Sequence, residues 1–197
     1  MCLNISSAMI CTVEAVRQLL KNTLGQERLA HSLRVADLAS ELCLARGLEA
    51  EKGRLAGLAH DWARELPPEQ VRKLALRDGQ GESILEARYP VLLHGRAAAV
   101  GLREKLGIED PEILEAVACH VTGCPGMGLL GKIVFVADFL EPGRGFVSEE
   151  IRKAMLRMDI DEMTVRVLEE IFSYLRSKQR PIAQPALQLA KELRRSW

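Results

Sequence analysis

Leu55-Ala-Gly-Leu-Ala-His-Asp-Trp-Ala-Arg64 decides how this chain is read. A histidine followed at once by an aspartate stands inside an apolar run, where an unpartnered polar group is costly to bury. Adjacent helical positions diverge by about 100°, so His60 and Asp61 cannot both point into one packed core. They can straddle a metal centre, one offering an imidazole nitrogen and the other a carboxylate. The chain has only four histidines, His31, His60, His94 and His120. The simplest reading is that the rest of the chain brings His31, His94, His120 and Asp138 to the His60-Asp61 pair.

Helical periodicity surrounds that pair, and no segment sustains an alternation of period two. Thr12 caps a first helix over 13–22, which Gly25 ends. The next, about 26–46, repeats Leu29, Leu33, Ala36, Leu42 and Cys43 at helical spacing and turns His31 inward with Val35 and Leu38. A third covers about 50–65, carries His60 and Asp61, and stops before Pro67-Pro68. A short helix runs to Leu76, followed by a polar loop over 77–82 and a helical turn over 83–87 that Tyr89-Pro90 ends. His94 opens a helix to Leu106. Asp110-Pro111 pairs an N-cap with proline at the first helical position, starting a helix that finishes near His120. Beyond the glycine-rich loop 122–128 lies a helix over 129–140 that carries Asp138.

Two or three amphipathic helices follow Ser148, broken at Arg180-Pro181. Their apolar residues Ile171, Phe172, Tyr174 and Leu175 suit packing on the core, with a homodimer interface as the other use. The expectation is one all-α domain over residues 1–197, an α-helical bundle with its metal-site core at about 26–145 and C-terminal helices at about 149–197.

Composition bounds the function. A chain of 197 residues can bury a substantial core, and 27 basic residues against 27 acidic ones leave no overall field for nucleic acid or an anionic membrane. No apolar run approaches the roughly 20 residues that span a bilayer. The first dozen residues lack a basic region and a small-residue cleavage site; the expected location is the cytoplasm. Cys2, Cys11, Cys43, Cys119 and Cys124 form no CxxC pair and read as small buried hydrophobes rather than ligands.

Four imidazoles and two carboxylates, spread over five helices, suit iron, manganese, cobalt or zinc rather than calcium or magnesium. A single histidine on an apolar face is usually a hydrogen-bonded core residue, but four with none elsewhere would require separate coincidences. Asp138 adds weight because it interrupts the apolar stretch 133–140. Around such a centre, positive charge would have to meet an anionic substrate. Arg28, Arg64, Arg96, Lys132 and Arg144 each lie within one or two turns of a candidate ligand or on an adjoining loop. Glu141 falls on the Asp138 side and could orient Arg144 or a water. Thr122 and Gly123, beside His120, offer a hydroxyl and backbone N–H groups.

The segments Arg28-Leu-Ala-His31-Ser32, Gly57-Leu-Ala-His-Asp61, Leu93-His94-Gly95, His120-Val-Thr-Gly123 and Lys132-Ile-Val-Phe-Val-Ala-Asp138-Phe-Leu-Glu-Pro-Gly-Arg144 carry a resemblance. The pattern resembles the HD superfamily of metal-dependent phosphohydrolases, in its two-metal branch. More finely, it is similar to the symmetrical bis(5'-nucleosyl)-tetraphosphatases of the YqeK family. The resemblance implies one metal at His31, His60, Asp61 and Asp138, a second at His94 and His120, and Asp61 bridging. It implies iron as the metal, a dinucleoside polyphosphate as substrate, and Asp61, Arg64 and Lys132 as the residues nearest the chemistry. Arg64 stands where the family usually has lysine, and Val121 where threonine is common. Other nucleotides as substrates, a non-catalytic nucleotide sensor, and a structural zinc protein are the competing classes; closed, cysteine-rich zinc sites differ most from this donor set.

Overall fold

The computed structural model describes residues 5–195, with side chains from 12 to 194, and holds eleven α-helices and two 3-10 turns, with no strand among the described residues. The helices are α1 (Ile5–Lys21), α2 (Gln26–Leu44), α3 (Ala50–Ala59), α4 (Pro68–Ala75), α5 (Ile84–Arg88), α6 (His94–Leu106), α7 (Pro111–Cys119), α8 (Leu129–Leu140), α9 (Glu149–Met155), α10 (Ile160–Ser177) and α11 (Gln184–Arg195). The 3-10 turns are Leu76–Asp78 and Pro90–Leu93. No helix among the described residues is long and apolar enough to cross a membrane.

Local chemistry sets most of the boundaries. The Asp110 carboxylate accepts from the Glu112 and Ile113 N–H groups at the head of α7, and Ser83 and Glu86 form a reciprocal capping box on α5. Two boundaries differ from expectation. Thr12 lies inside α1, because no glycine or proline separates it from Ile5. The helix expected over 50–65 ends at Ala59, with His60 as its C-cap, so the His-Asp pair sits on the tight turn leaving α3.

α2 and α3 pack side by side, α8 lies against both, and α7 links α3, α6 and α8. Two close approaches make this possible. A Cβ at Gly57 of α3 would lie 2.9 Å from the Ala36 Cα of α2, and one at Gly95 of α6 would lie 2.8 Å from the Ala118 carbonyl of α7. Both glycines lie within three residues of a candidate ligand, so these backbones come close where the imidazoles must converge.

α10 covers α8, and α11 covers α10. Phe172 is buried in the core, whereas Tyr174 is exposed. Cys43 is a buried free thiol, as expected. Cys119 and Cys124 depart from the reading as separate small hydrophobes. The turn after α7 brings their Cα atoms to 5.6 Å, and they pair as a disulfide around residues 120–123. Cys2 and Cys11 lie outside the described side chains.

Candidate metal centre

His31 comes from the second turn of α2, His60 from the C-cap of α3, His94 from the first position of α6, and His120 from the C-cap of α7. All four are buried. Three share one local device. The Nδ1 of His60 bonds the Gly57 carbonyl at 2.6 Å, that of His94 the Val91 carbonyl at 2.5 Å, and that of His120 the Val117 carbonyl at 2.7 Å. A carbonyl can only accept, so each Nδ1 carries the proton and each Nε2 presents a lone pair. In His31 the Glu141 carboxylate plays the carbonyl's part, 3.1 Å from Nδ1. A partner on the far ring nitrogen that fixes the tautomer and the ring plane is characteristic of metal-ligating histidine.

The four Nε2 atoms gather around Asp61. Its Oδ2 lies 3.5 Å from His60 and 3.8 Å from His31, and its Oδ1 lies 3.0 Å from His94 and 3.6 Å from His120. One oxygen therefore faces each histidine pair. The ligand atoms of His31, His60 and Asp61 fall within 4.8 Å of one another, as do those of Asp61, His94 and His120. Asp138 Oδ1 lies 3.0 Å from His31 and 3.8 Å from His60, which adds a carboxylate to the first group alone.

This donor set fits divalent metal ions. The buried Nε2 of His60 has no hydrogen-bond partner. The Nε2 atoms of His94 and His120 stand 3.0 Å apart; with both Nδ1 protons spent on carbonyls, two lone pairs face each other, and a cation between them resolves the conflict. Burial would raise the Asp61 carboxyl, but its close polar neighbours hold it far below the usual carboxylate range, and the Arg28 guanidinium donates to its Oδ2 at 2.8 Å. At Asp138, burial is likewise overcome, and the carboxyl is held low with the Arg144 guanidinium bonded to it. Both oxygens are therefore ready as anionic donors. Burial lowers the His120 imidazole, keeping it neutral.

A cleft of about 680 Å³ opens on this floor, lined by Arg28, Arg64, Arg144, Phe139, Phe146 and Tyr174 among others. Arg28 bonds Asp61 Oδ2 at 2.8 Å. Arg144 bonds the Asp138 carbonyl at 2.9 Å and also its carboxylate. Arg64 has no ion-pair partner among the described residues and faces the same cleft.

Five expected substrate contacts lie elsewhere. Lys132 bonds Asp161 of α10 at 2.6 Å; six residues before Asp138 it is rotated about 240° from it, which turns it away from the cleft. Arg96, two residues beyond His94, is rotated about 200° and clamps the 78–86 segment, reaching Asp78 at 2.7 and 2.9 Å and Glu86 at 3.0 Å. Gly123 is buried against Leu189 of α11 and spends its N–H on the Cys119 carbonyl. Glu141 is only 1% exposed; it orients His31 instead of touching a substrate. Thr122 lines a neighbouring apolar cavity rather than the cleft.

Sequence reading missed three contributors. Arg34 bonds Glu141 at 2.5 and 3.1 Å; its position one turn after His31 was the available signal. Arg152, buried, donates to the carbonyls of Leu140 at 2.7 Å and Val147 at 3.3 Å, stapling the turn that carries Arg144 and Phe146. The aromatic residues on the cleft wall, Phe139, Phe146 and Tyr174, carried no separate signal.

Comparison with known proteins agrees with this geometry. The HD domain matches residues 28–143, a span that begins at Arg28 and includes all six candidate ligands. The chain is 32% identical over 176 residues to a protein of Halalkalibacterium halodurans named "Bis(5'-nucleosyl)-tetraphosphatase, symmetrical", covering 89% of this chain and 94% of that one. A protein of the same name from Bacillus subtilis is 30% identical over 163 residues, 82% and 87% of the two chains. A solved structure from Clostridium acetobutylicum, described as a "predicted HD superfamily hydrolase involved in NAD metabolism", superposes with a TM-score of 0.88 at 32% identity, covering 93% of this chain and 97% of that one.

Proposed function

Because the chain belongs to the HD-domain family, and within it to the symmetrical bis(5'-nucleosyl)-tetraphosphatases, we propose that it hydrolyses diadenosine tetraphosphate at its central anhydride to two ADP. The observation that carries this is Asp61, a buried carboxylate shared by two imidazole groups on the floor of a cleft walled by arginine. His31, His60, Asp61 and Asp138 would hold one divalent metal and His94, His120 and Asp61 the other. Iron is the metal of this proposal, and manganese, cobalt and zinc suit the same donors. When bound, such a pair supplies Lewis acidity and lowers the pKa of water.

The remaining work falls to the chain. Arg64, uncommitted among the described residues, binds phosphate oxygens through its planar fork. Arg28 and Arg144 hold Asp61 and Asp138 in place and add positive charge where negative charge accumulates. The four Nδ1 partners keep each imidazole in the tautomer that frees Nε2. The departing group is ADP, an anion already stabilised by its own phosphates, so the chain need not supply a strong acid. Asp61 and Arg64 keep the catalytic assignment; Lys132 belongs to the α8–α10 contact. The same reading takes residues 1–197 as one domain acting on a nucleotide in the cytoplasm.

Product chromatography after incubating the iron-loaded protein with diadenosine tetraphosphate tests the reading. ADP as sole product is expected. AMP with ATP would reject the central cut, and an unreacted substrate on metal-loaded protein would reject the substrate.

A further inference from the structure

Of the six candidate ligands, only His120 is enclosed by a covalent loop. Cys119 ends α7, His120 follows as its C-cap, and Cys119 pairs with Cys124 across residues 120–123. The other ties of that loop are few. The Gly123 N–H reaches the Cys119 carbonyl at 2.8 Å, the His120 ring reaches the Val117 carbonyl at 2.7 Å, and Gly123 rests on Leu189 of α11. None of these fastens residue 124 to α7; the disulfide does.

The pair also differs from the free thiol of the core. Cys43 is buried, and burial pushes its thiol up to about 11, which makes it a poor nucleophile. Cys119 and Cys124 are each only half-buried, open to a small sulfur reagent.

We propose, on the reading of His94, His120 and Asp61 as a metal position, that Cys119 and Cys124 form a reversible thiol–disulfide site whose oxidised form holds His120 ready for that metal. Coordination tolerates displacements of only about 0.2 Å, and the His120 Nε2 must share an ion with the His94 Nε2, 3.0 Å away. Helix ends fray, and a ligand at a C-cap frays with them. Closing the loop over 119–124 removes chain freedom worth up to about 40-fold in an equilibrium constant. With the pair open, the arriving ion must order the turn; with it closed, the turn is already ordered. His31, His60 and Asp138 come from α2, α3 and α8, outside the loop, so the first position should not respond.

The reactant is a small thiol–disulfide couple of the glutathione class. One protein thiolate attacks the S–S bond of the reactant and expels one thiol, leaving a mixed disulfide; the second protein thiolate displaces the other. An S–S bond forms between Cys119 and Cys124, two electrons pass to the reactant, and two protons leave with the released thiols. In the cytoplasm proposed for this protein, disulfides are typically the kind that cycle.

Cys119 and Cys124 fall on one tryptic peptide, 106–132, with no other cysteine. Mass spectrometry after alkylation therefore reads this pair apart from Cys2, Cys11 and Cys43. Manganese is the probe, because it prefers oxygen and nitrogen donors to thiolate, and binding is read by equilibrium dialysis with elemental analysis. Oxidised wild type is expected to bind two equivalents. Reducing the pair, or replacing one sulfur in Cys124→Ser, should weaken the second equivalent about 10- to 40-fold and leave the first unchanged. Reoxidation should restore the wild type and not the variant. In a glutathione buffer, saturating manganese should shift the pair towards disulfide by a similar factor. A second equivalent that is equally tight in both states would overturn the proposal and leave the metal centre standing. So would a peptide that keeps both thiols in glutathione disulfide, or a redox balance blind to manganese. Protein that takes up no manganese in either state would overturn the metal centre, and the coupling with it.

Discussion

Replacing Glu141 by glutamine removes a charge while keeping the side chain's shape, and the structure fixes what should follow. The carboxylate is buried, binds Arg34, accepts from His31 and receives the Gly143 N–H at 2.5 Å. Burial would raise its carboxyl, but the bonds from Arg34, His31 and Gly143 hold it at about 2, against an ordinary value of 4.5. A folded-state value below the unfolded one means that folding is favoured by the ionised form. The contribution is complete above about pH 4.5 and is lost as pH falls towards 2. At pH 7 it amounts to about 3 kcal/mol, a ceiling because Arg34 keeps 39% of its side chain in water. At pH 3.5 the same relation leaves about 2 kcal/mol.

Urea unfolding of metal-free wild type and Glu141→Gln at the two pH values checks this, and at neutral pH the melting temperature should fall by about 6–12 °C. A stability difference that is the same at pH 7 and pH 3.5 would refute the electrostatic account and leave packing as the cause. Metal affinity should fall about 10- to 100-fold at the first group only, read by competition with a chelator.

Three further outcomes follow from the geometry. His94→Ala should leave one metal equivalent by elemental analysis; an unchanged stoichiometry would count against two separate groups. Arg96→Ala should lower the melting temperature by about 4–8 °C, from about 2 kcal/mol of lost charged hydrogen bonds, and open 78–86 to proteolysis while metal content holds. Gly57→Ala pushes a methyl group against the Ala36 backbone. It should cost about 3 kcal/mol and lower metal content as α2 and α3 separate, whereas a wild-type melting curve would show that the contact yields freely.

The parts of this site that were legible in sequence are those where a polar residue breaks an apolar pattern. His60-Asp61 and Asp138 stand out because their neighbours should be buried, and Asp110-Pro111 announced α7 because capping is a local chemistry. Direction was less legible. Nearness in sequence to a ligand does not bring a side chain to the same side of a helix, and for Lys132 and Arg96 the 100° step decides against it. Glu141 was legible in part: it lies 3.9 Å from Arg144, as its spacing suggested, but its partner His31 is 110 residues away, and no local pattern records a choice made across the whole fold. The Cys119–Cys124 pair hides because a five-residue separation says nothing until the turn is built.

Asp61 has one more consequence. A carboxylate with one oxygen turned to each histidine pair cannot serve two ions independently: the first to arrive orders the group and draws on its charge before the second is bound. Occupancy at the two positions is therefore thermodynamically linked, and whatever factor the His31 side imposes on the His94 side must be returned in equal measure. The protein's metal titration should follow a two-step isotherm with an interaction constant, and replacing Asp61 by alanine should change that constant.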